Sequence, residues 1–227
     1  MNELLAGRSI GDFLFGFGAL FAIINPYGLA FVFLERTVGL SEPERARIAL
    51  RVAVYAFFVL LGSLFMGSEI MRFFGISMPA LRIAGGLVVA STAWSMLHAA
   101  PVAARDHASS GHSYAAVRGM AFFPLTIPLT TGPGTIATAI AISTNRPSDI
   151  DAVFSLSIVW LLIACAVSAM IYHAYRKSGA MARLFGEEGT SVVTRLSAFL
   201  LLCIGVQIMI TGAVEIGQSI HGGTSRP

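Results

Sequence analysis

Two short stretches combine proline and glycine with uncharged polar side chains inside otherwise apolar sequence. The first is Asn25-Pro26-Tyr27-Gly28; the second is Thr130-Thr131-Gly132-Pro133-Gly134-Thr135, preceded by Pro124 and Pro128. Proline removes a backbone donor and clashes with the carbonyl four residues back, and a neighbouring glycine tolerates dihedrals outside the helical well. Together they unwind a helix and free N–H and C=O groups to bind something. A half-helix that starts at the break aims unpaired N–H groups and a positive dipole end at a guest, which suits a carboxylate. The half-helix that ends there leaves bare carbonyls, which suit an ammonium group or a small cation. Asn25 adds an amide, and Thr131 and Thr135 add hydroxyls, so donors and acceptors come without net charge. Two facing breaks of this kind fit a small zwitterion. The candidate binding residues are then Asn25, Pro26, Gly28, Thr131, Gly132, Pro133, Gly134 and Thr135. Kinks that only serve packing are the plainer alternative.

Three further polar residues stand out. Gln207 lies deep in an apolar run, where an amide is expected to be buried and to need partners, either on another helix or on the substrate. Arg82 and Arg195 each fall in the first turn of an apolar segment, the wrong end for the helix macrodipole. Snorkelling to headgroups accounts for both; a gating or structural role is the sharper reading. Other chemistries find little support. No acid or histidine lies deep in an apolar run, Asp12 and Glu35 being only at the edges of the first, so no side-chain proton relay is expected. His98, His107 and His112 beside Asp106 match no zinc spacing, and no phosphate-binding glycine fingerprint occurs. Neither an enzyme nor a cofactor or metal is expected.

The elements that must position these groups follow from composition. Of 227 residues, 56% are apolar and 12% charged, about half the charge of a soluble domain. The net charge of +3 is spread without a basic run, which excludes a nucleic-acid groove, and two cysteines make no disulfide scaffold. A spanning helix needs about 20 apolar residues. Six segments qualify, at about 12–34, 48–68, 78–97, 119–143, 153–173 and 193–213. Backbone polar groups in lipid must bond within their own segment, so these are helices. The first is expected to be retained rather than cleaved as a signal peptide. Cys165 and Cys203 read as small apolar fillers, Gly62, Gly67, Gly85 and Gly86 as points of close helix approach. Ser91, Thr92 and Ser168 can bond back to their own helix and need no other role.

Six spans put both termini on one side with Arg72, Arg82 and Arg146, alongside Arg8 and Arg226. The other side holds Arg36, Arg45, Arg47, Arg51, Arg105, Arg118, Arg176, Lys177, Arg183 and Arg195. The positive-inside rule makes that richer side cytoplasmic and turns both termini outward. Placing Pro26 on Pro133 also brings Thr37 onto Thr144, and Leu81-Arg82-Ile83 parallels Thr194-Arg195-Leu196. The chain thus reads as one membrane domain over 1–227: a repeat at about 12–97, a cytoplasmic linker at about 98–118 and a second repeat at about 119–213. Three spans per repeat is odd, so the halves are inverted, an arrangement that places transporter sites near the midplane on broken helices. The expected fold is all-α, six transmembrane helices in two inverted three-helix repeats, with helices 1 and 4 broken.

Asn25-Pro26-Tyr27-Gly28 with the apolar run to Leu34 resembles the Asn-Pro-x-Gly signature of the MarC family of integral membrane proteins. Phe123-Pro124-Leu125-Thr126-Ile127-Pro128-Leu129, leading into Gly132-Pro133-Gly134-Thr135-Ile136, resembles its second signature. Arg82-Ile83-Ala84-Gly85-Gly86 and Gly205-Val206-Gln207 match its third and sixth spans. The pattern departs at Phe31, where a second proline is expected, so the first span should be less kinked beyond its break. The resemblance covers essentially the whole chain. It implies a six-span bacterial inner-membrane protein related to LysE-type exporters, in a family that includes small neutral amino acid transporters. The function expected is export of alanine- or glycine-like amino acids by alternating access. An ion channel or carrier, or a non-transporting scaffold, is the alternative. The partners expected are that amino acid, a coupling Na+ or H+ ion, the lipid bilayer and further copies of the chain, with no nucleic acid.

Overall fold

A computed structural model of the chain describes residues 2–98, 114–143 and 150–222. Among them every regular element is helical. Helix α1 (Asn2–Ile24) and helix α2 (Pro26–Arg36) meet at Asn25 and together form the first membrane-length span, Ser9–Arg36. Helix α3 (Glu42–Phe73) starts where Ser41 and Glu44 make the reciprocal cap that the S-x-x-E spacing allows, the Glu44 carboxylate accepting the Ser41 N–H at 2.9 Å. It ends at Gly75, whose φ of 64° lets Ile76 N–H reach Met71 C=O at 2.9 Å and close the helix end. Helix α4 (Met78–Leu97) is capped by Ser77. The short α5 (Tyr114–Gly119) lies at the end of the stretch read as a linker, whose residues 99–113 fall outside the described residues.

A wide coil, Ala121–Thr130, and helix α6 (Pro133–Ser143) follow, bent by 64° at the break between them to make one further span. Helix α7 (Ile150–Gly222) is two arms, Val153–Gly186 and Val192–Gln218, joined at Gly186, whose φ of 68° breaks the helix. Five helical stretches, with the bent pair as a sixth, are therefore long and apolar enough to cross a membrane, as the sequence predicts. The structure lengthens the second, fifth and sixth segments: α3 and the two α7 arms run well past the apolar windows because their charged ends continue the helix. Phe31, in the proline's place, leaves α2 unbroken and packs edge-on against Phe185, with ring centroids 5.9 Å apart.

In lipid, burying apolar surface between helices gains little, so close packing must hold them together. The core joins α1, α2, α3 and the first α7 arm around Leu20, Ile24, Phe33, Leu60, Ile163 and Tyr175. Glycines allow close helix contacts at three places, two against isoleucine side chains and one against backbone. A Cβ on Gly16 would lie 2.6 Å from Ile163, one on Gly67 would meet Ile140, and one on Gly86 would lie 2.5 Å from the Gly205 carbonyl. Gly62, by contrast, faces open space and supports no such contact. Helix α4 and the second α7 arm thus pack backbone to backbone, beside a small apolar cluster of Val89, Ala93 and Leu201. Cys165 and Cys203 lie on exposed faces instead of filling the interior. Among the described residues the buried Ser168 hydroxyl has no hydrogen-bond partner, so the bond back to its own helix does not form.

Candidate functional site

At the first break, Asn25 sits at φ 43°, ψ 61°, the left-handed region where asparagine is among the few non-glycine residues tolerated. The backbone otherwise stays nearly continuous: Asn25 N–H donates to Phe21 C=O at 2.9 Å, and Leu29 N–H to Asn25 C=O at 3.0 Å. Pro26 occupies the first helical position of α2, where its missing N–H costs little. It also leaves the Ala22 carbonyl without its usual donor four residues on. The Asn25 side chain folds over the new helix and accepts the Gly28 N–H at 3.3 Å. Gly28 is buried beneath that amide and against the second α7 arm, where a Cβ would lie 2.8 Å from Ser197 Oγ. Asn25 therefore caps its own half-helix.

The second break is longer. From Ala121 to Thr130 the ladder runs five residues back, with Leu125 N–H to Met120 C=O at 3.1 Å and Thr131 N–H to Thr126 C=O at 2.8 Å. Prolines 124 and 128 cannot donate, and the backbone leaves the helical region at Phe123 and Ile127. Three threonine hydroxyls add bonds within the coil: Thr126 donates to Ala121 C=O at 2.7 Å, Thr130 to Leu125 C=O at 2.7 Å and Thr131 to Thr126 C=O at 3.2 Å. The sequence assigned Thr131 to substrate, but the structure buries it completely and spends its hydroxyl on the coil. Thr130 also meets the Tyr175 hydroxyl at 2.8 Å, and the Tyr175 ring stacks on Phe33 with centroids 4.5 Å apart. The sequence reading passed over Tyr175, which lies just past the fifth apolar run beside Arg176 and Lys177 and carries a hydroxyl that needs a partner if buried.

Helix α6 then opens on Gly132-Pro133-Gly134-Thr135. Its first intrahelical bond is Ile136 N–H to Gly132 C=O at 3.0 Å, so the Gly134 and Thr135 N–H groups precede it. A Cβ on Gly132 would lie 2.5 Å from the Pro128 carbonyl, and one on Gly85 of α4 would touch the Pro133 backbone at 3.0 Å. The first contact tightens the break on itself, and the second seats it against α4. Gly134 packs between Val89 and Ile208, where a Cβ would lie 3.1 Å from each.

The end of α1 and the second break border one small, partly open cavity of about 20 Å³. Ile23, from the end of α1, forms part of its wall, and Pro128, Thr130, Gly132 and Thr135 come from the second break. Val88, Val89 and Thr92 of α4 and Leu201 of α7 close it. None of these side chains is ionisable. The volume has room for about one water molecule. Among the sequence candidates, then, Gly132 and Thr135 reach the cavity. Pro133 and Gly134 adjoin it in the same turn, while Asn25, Pro26, Gly28 and Thr131 serve the breaks themselves.

Gln207 is a correction. It is exposed on the outer face of the second α7 arm, because Gly205 and Ile208 turn toward α4 and α6 and leave position 207 pointing away. The two arginines also part company. Arg82, only 22% exposed, is ion-paired with Glu215 near the end of the second α7 arm, whereas Arg195 is exposed. At the opposite end of the bundle Arg183 donates to Glu42 at 2.7 Å, and Arg45 donates to Thr37 Oγ1 at 3.2 Å and Leu40 C=O at 3.1 Å. Thr144, the proposed counterpart of Thr37, lies outside the described residues. Among the described residues no cluster of histidine, cysteine and acidic groups could hold a metal ion.

Fold and site together define a helical membrane protein in which two interrupted spans meet at a small uncharged cavity. The profile of the MarC family integral membrane proteins matches residues 11–216, and the chain belongs to that family. It is 37% identical over 211 residues to the UPF0056 inner membrane protein MarC of Escherichia coli O1:K1, covering 91% of this chain and 96% of that protein. It is 36% identical over 213 residues to the protein of the same name from Citrobacter koseri, with the same coverage. The chain is accordingly an integral protein of the inner membrane. No solved structure matches it.

Proposed function

We propose that this protein is a secondary transporter of small neutral amino acids of the alanine and glycine class, exporting them by alternating access about the two helix breaks. One observation carries the reading: the end of α1 and the start of α6 border the same small cavity, which no ionisable side chain lines. Backbone freed from helical bonding persists at membrane depth where it is buried in protein or lines a cavity. A guest held by such groups alone must offer both a donor and an acceptor while carrying no net charge. An amino acid with a small apolar side chain meets that description, and Ile23, Val89 and Leu201 supply an apolar wall for the side chain.

The cavity holds about one water, and alanine is several times larger. Admission therefore requires the walls to separate, which is the motion alternating access supplies. Helices α2 and α6 support a pairing of the two halves, because each is 11 residues long and begins with proline. With inverted halves and the arginine-rich side cytoplasmic, both termini face outward and Arg82 and Glu215 latch the outer end. A Na+ or H+ ion is the coupling partner in this reading. Uptake of labelled alanine or glycine into vesicles holding the purified protein tests the proposal. Saturable flux driven by an ion gradient is expected; its absence under any imposed gradient would sink it.

A further inference from the structure

The four threonines around the second break do not share one fate. Thr126, Thr130 and Thr131 each give their hydroxyl to a carbonyl five residues back. Thr92, across the cavity, gives its own to Val88 C=O at 2.8 Å. Thr135 is 3% exposed, and among the described residues its hydroxyl has no hydrogen-bond partner, yet the residue lines the cavity. A hydroxyl that faces the cavity without a protein partner is left to donate to whatever the cavity holds. It stands in the first turn of α6, beside two N–H groups that precede the helix's first bond and at the positive end of its dipole. At the first break the equivalent N–H is already taken, since Asn25 Oδ1 accepts from Gly28.

We infer that the α6 start alone is the carboxylate subsite, with the Thr135 hydroxyl and the Gly134 and Thr135 N–H groups as its donors. The inference rests on the proposed transport reading and narrows it: the substrate's carboxylate binds at the second break, and the first break holds none. A carboxylate held at the α6 start leaves the substrate's side chain facing Ile23 and Leu201 on the cavity wall. Amino-acid analogues without a carboxylate lose this anchor whatever their side chain.

Equilibrium binding of labelled alanine to the purified full chain, with propionate and alaninol as competitors, tests it. Thr135→Val is expected to weaken alanine and propionate by on the order of 10- to 100-fold, the loss of one hydrogen bond to a charged group. Thr135→Ser should keep both, and alaninol should compete poorly with the wild type. Alanine binding and flux left unchanged by Thr135→Val would overturn the subsite while leaving the transport reading standing. Thr135-dependent propionate binding in a protein that moves no amino acid would do the reverse. If Thr135→Val fails to fold, the wild-type comparison decides: alaninol binding as well as alanine overturns the subsite.

Discussion

The two helix breaks begin from the same device, a proline at the first position of an 11-residue half-helix, and end in opposite states. At the first, a single left-handed residue suffices, and the asparagine that adopts it covers the new helix end with its own side chain. At the second, the residue before the proline is glycine, which has nothing to cap with, and ten residues of widened coil precede it. Its carbonyls are served by threonines, its helix start is not, and the cavity lies against that start. One break is a closed hinge and the other an open binding end. The side chain before the proline decides which.

The sharpest way to break the comparison is to exchange the space each break allows. Gly132→Val places carbon against the Pro128 backbone, which cannot give, and should abolish flux and cost about 1–3 kcal/mol of stability, read by thermal unfolding in detergent. Gly28→Ala meets only the ends of the Asn25 and Ser197 side chains and should be milder in both assays. Next in size, Asn25→Ala loses both the tolerated left-handed geometry and the cap, for about 1–2 kcal/mol. Asn25→Gly keeps the geometry and should recover most of that stability, though with the α2 start uncapped. Tyr175→Phe removes one buried hydroxyl bond from the second break and should cost about 1 kcal/mol. A comparable loss in a Thr130→Val background would show that the bond to Thr130 is not its source. The smallest effects should separate the arginines. Arg82→Ala breaks a half-buried ion pair and should change the flux rate while sparing affinity; Arg195→Ala, at an exposed position, should change neither.

Much of this was legible in the sequence because lipid leaves the backbone few options. Apolar length alone gave six spans, and proline beside glycine marked both breaks to the residue. What stayed hidden was where each polar side chain turns. Thr131 and Thr135 are four residues apart in a threonine-rich stretch, and only the widened coil, which needs donors five residues on, claims the first and frees the second. Gln207 illustrates the same limit. An apolar run around an amide shows depth in the membrane, not which face of the helix it occupies, and the glycine at 205 fixes that face by packing against α4. Arg82 and Arg195 look equivalent by position, yet Arg82 pairs with Glu215 at the end of the neighbouring arm while Arg195 is exposed.

The central claim is that both breaks border one cavity that opens to admit a small amino acid. Its most direct test is a single cysteine in place of Ile23, the wall residue contributed by the first break, with Cys165 and Cys203 replaced by serine. In vesicles, a water-soluble thiol reagent should label that cysteine, and alanine should slow the labelling several-fold by occupying a site whose anchor is on α6. Labelling that proceeds at one rate with or without alanine, in a protein that transports it, would contradict the account.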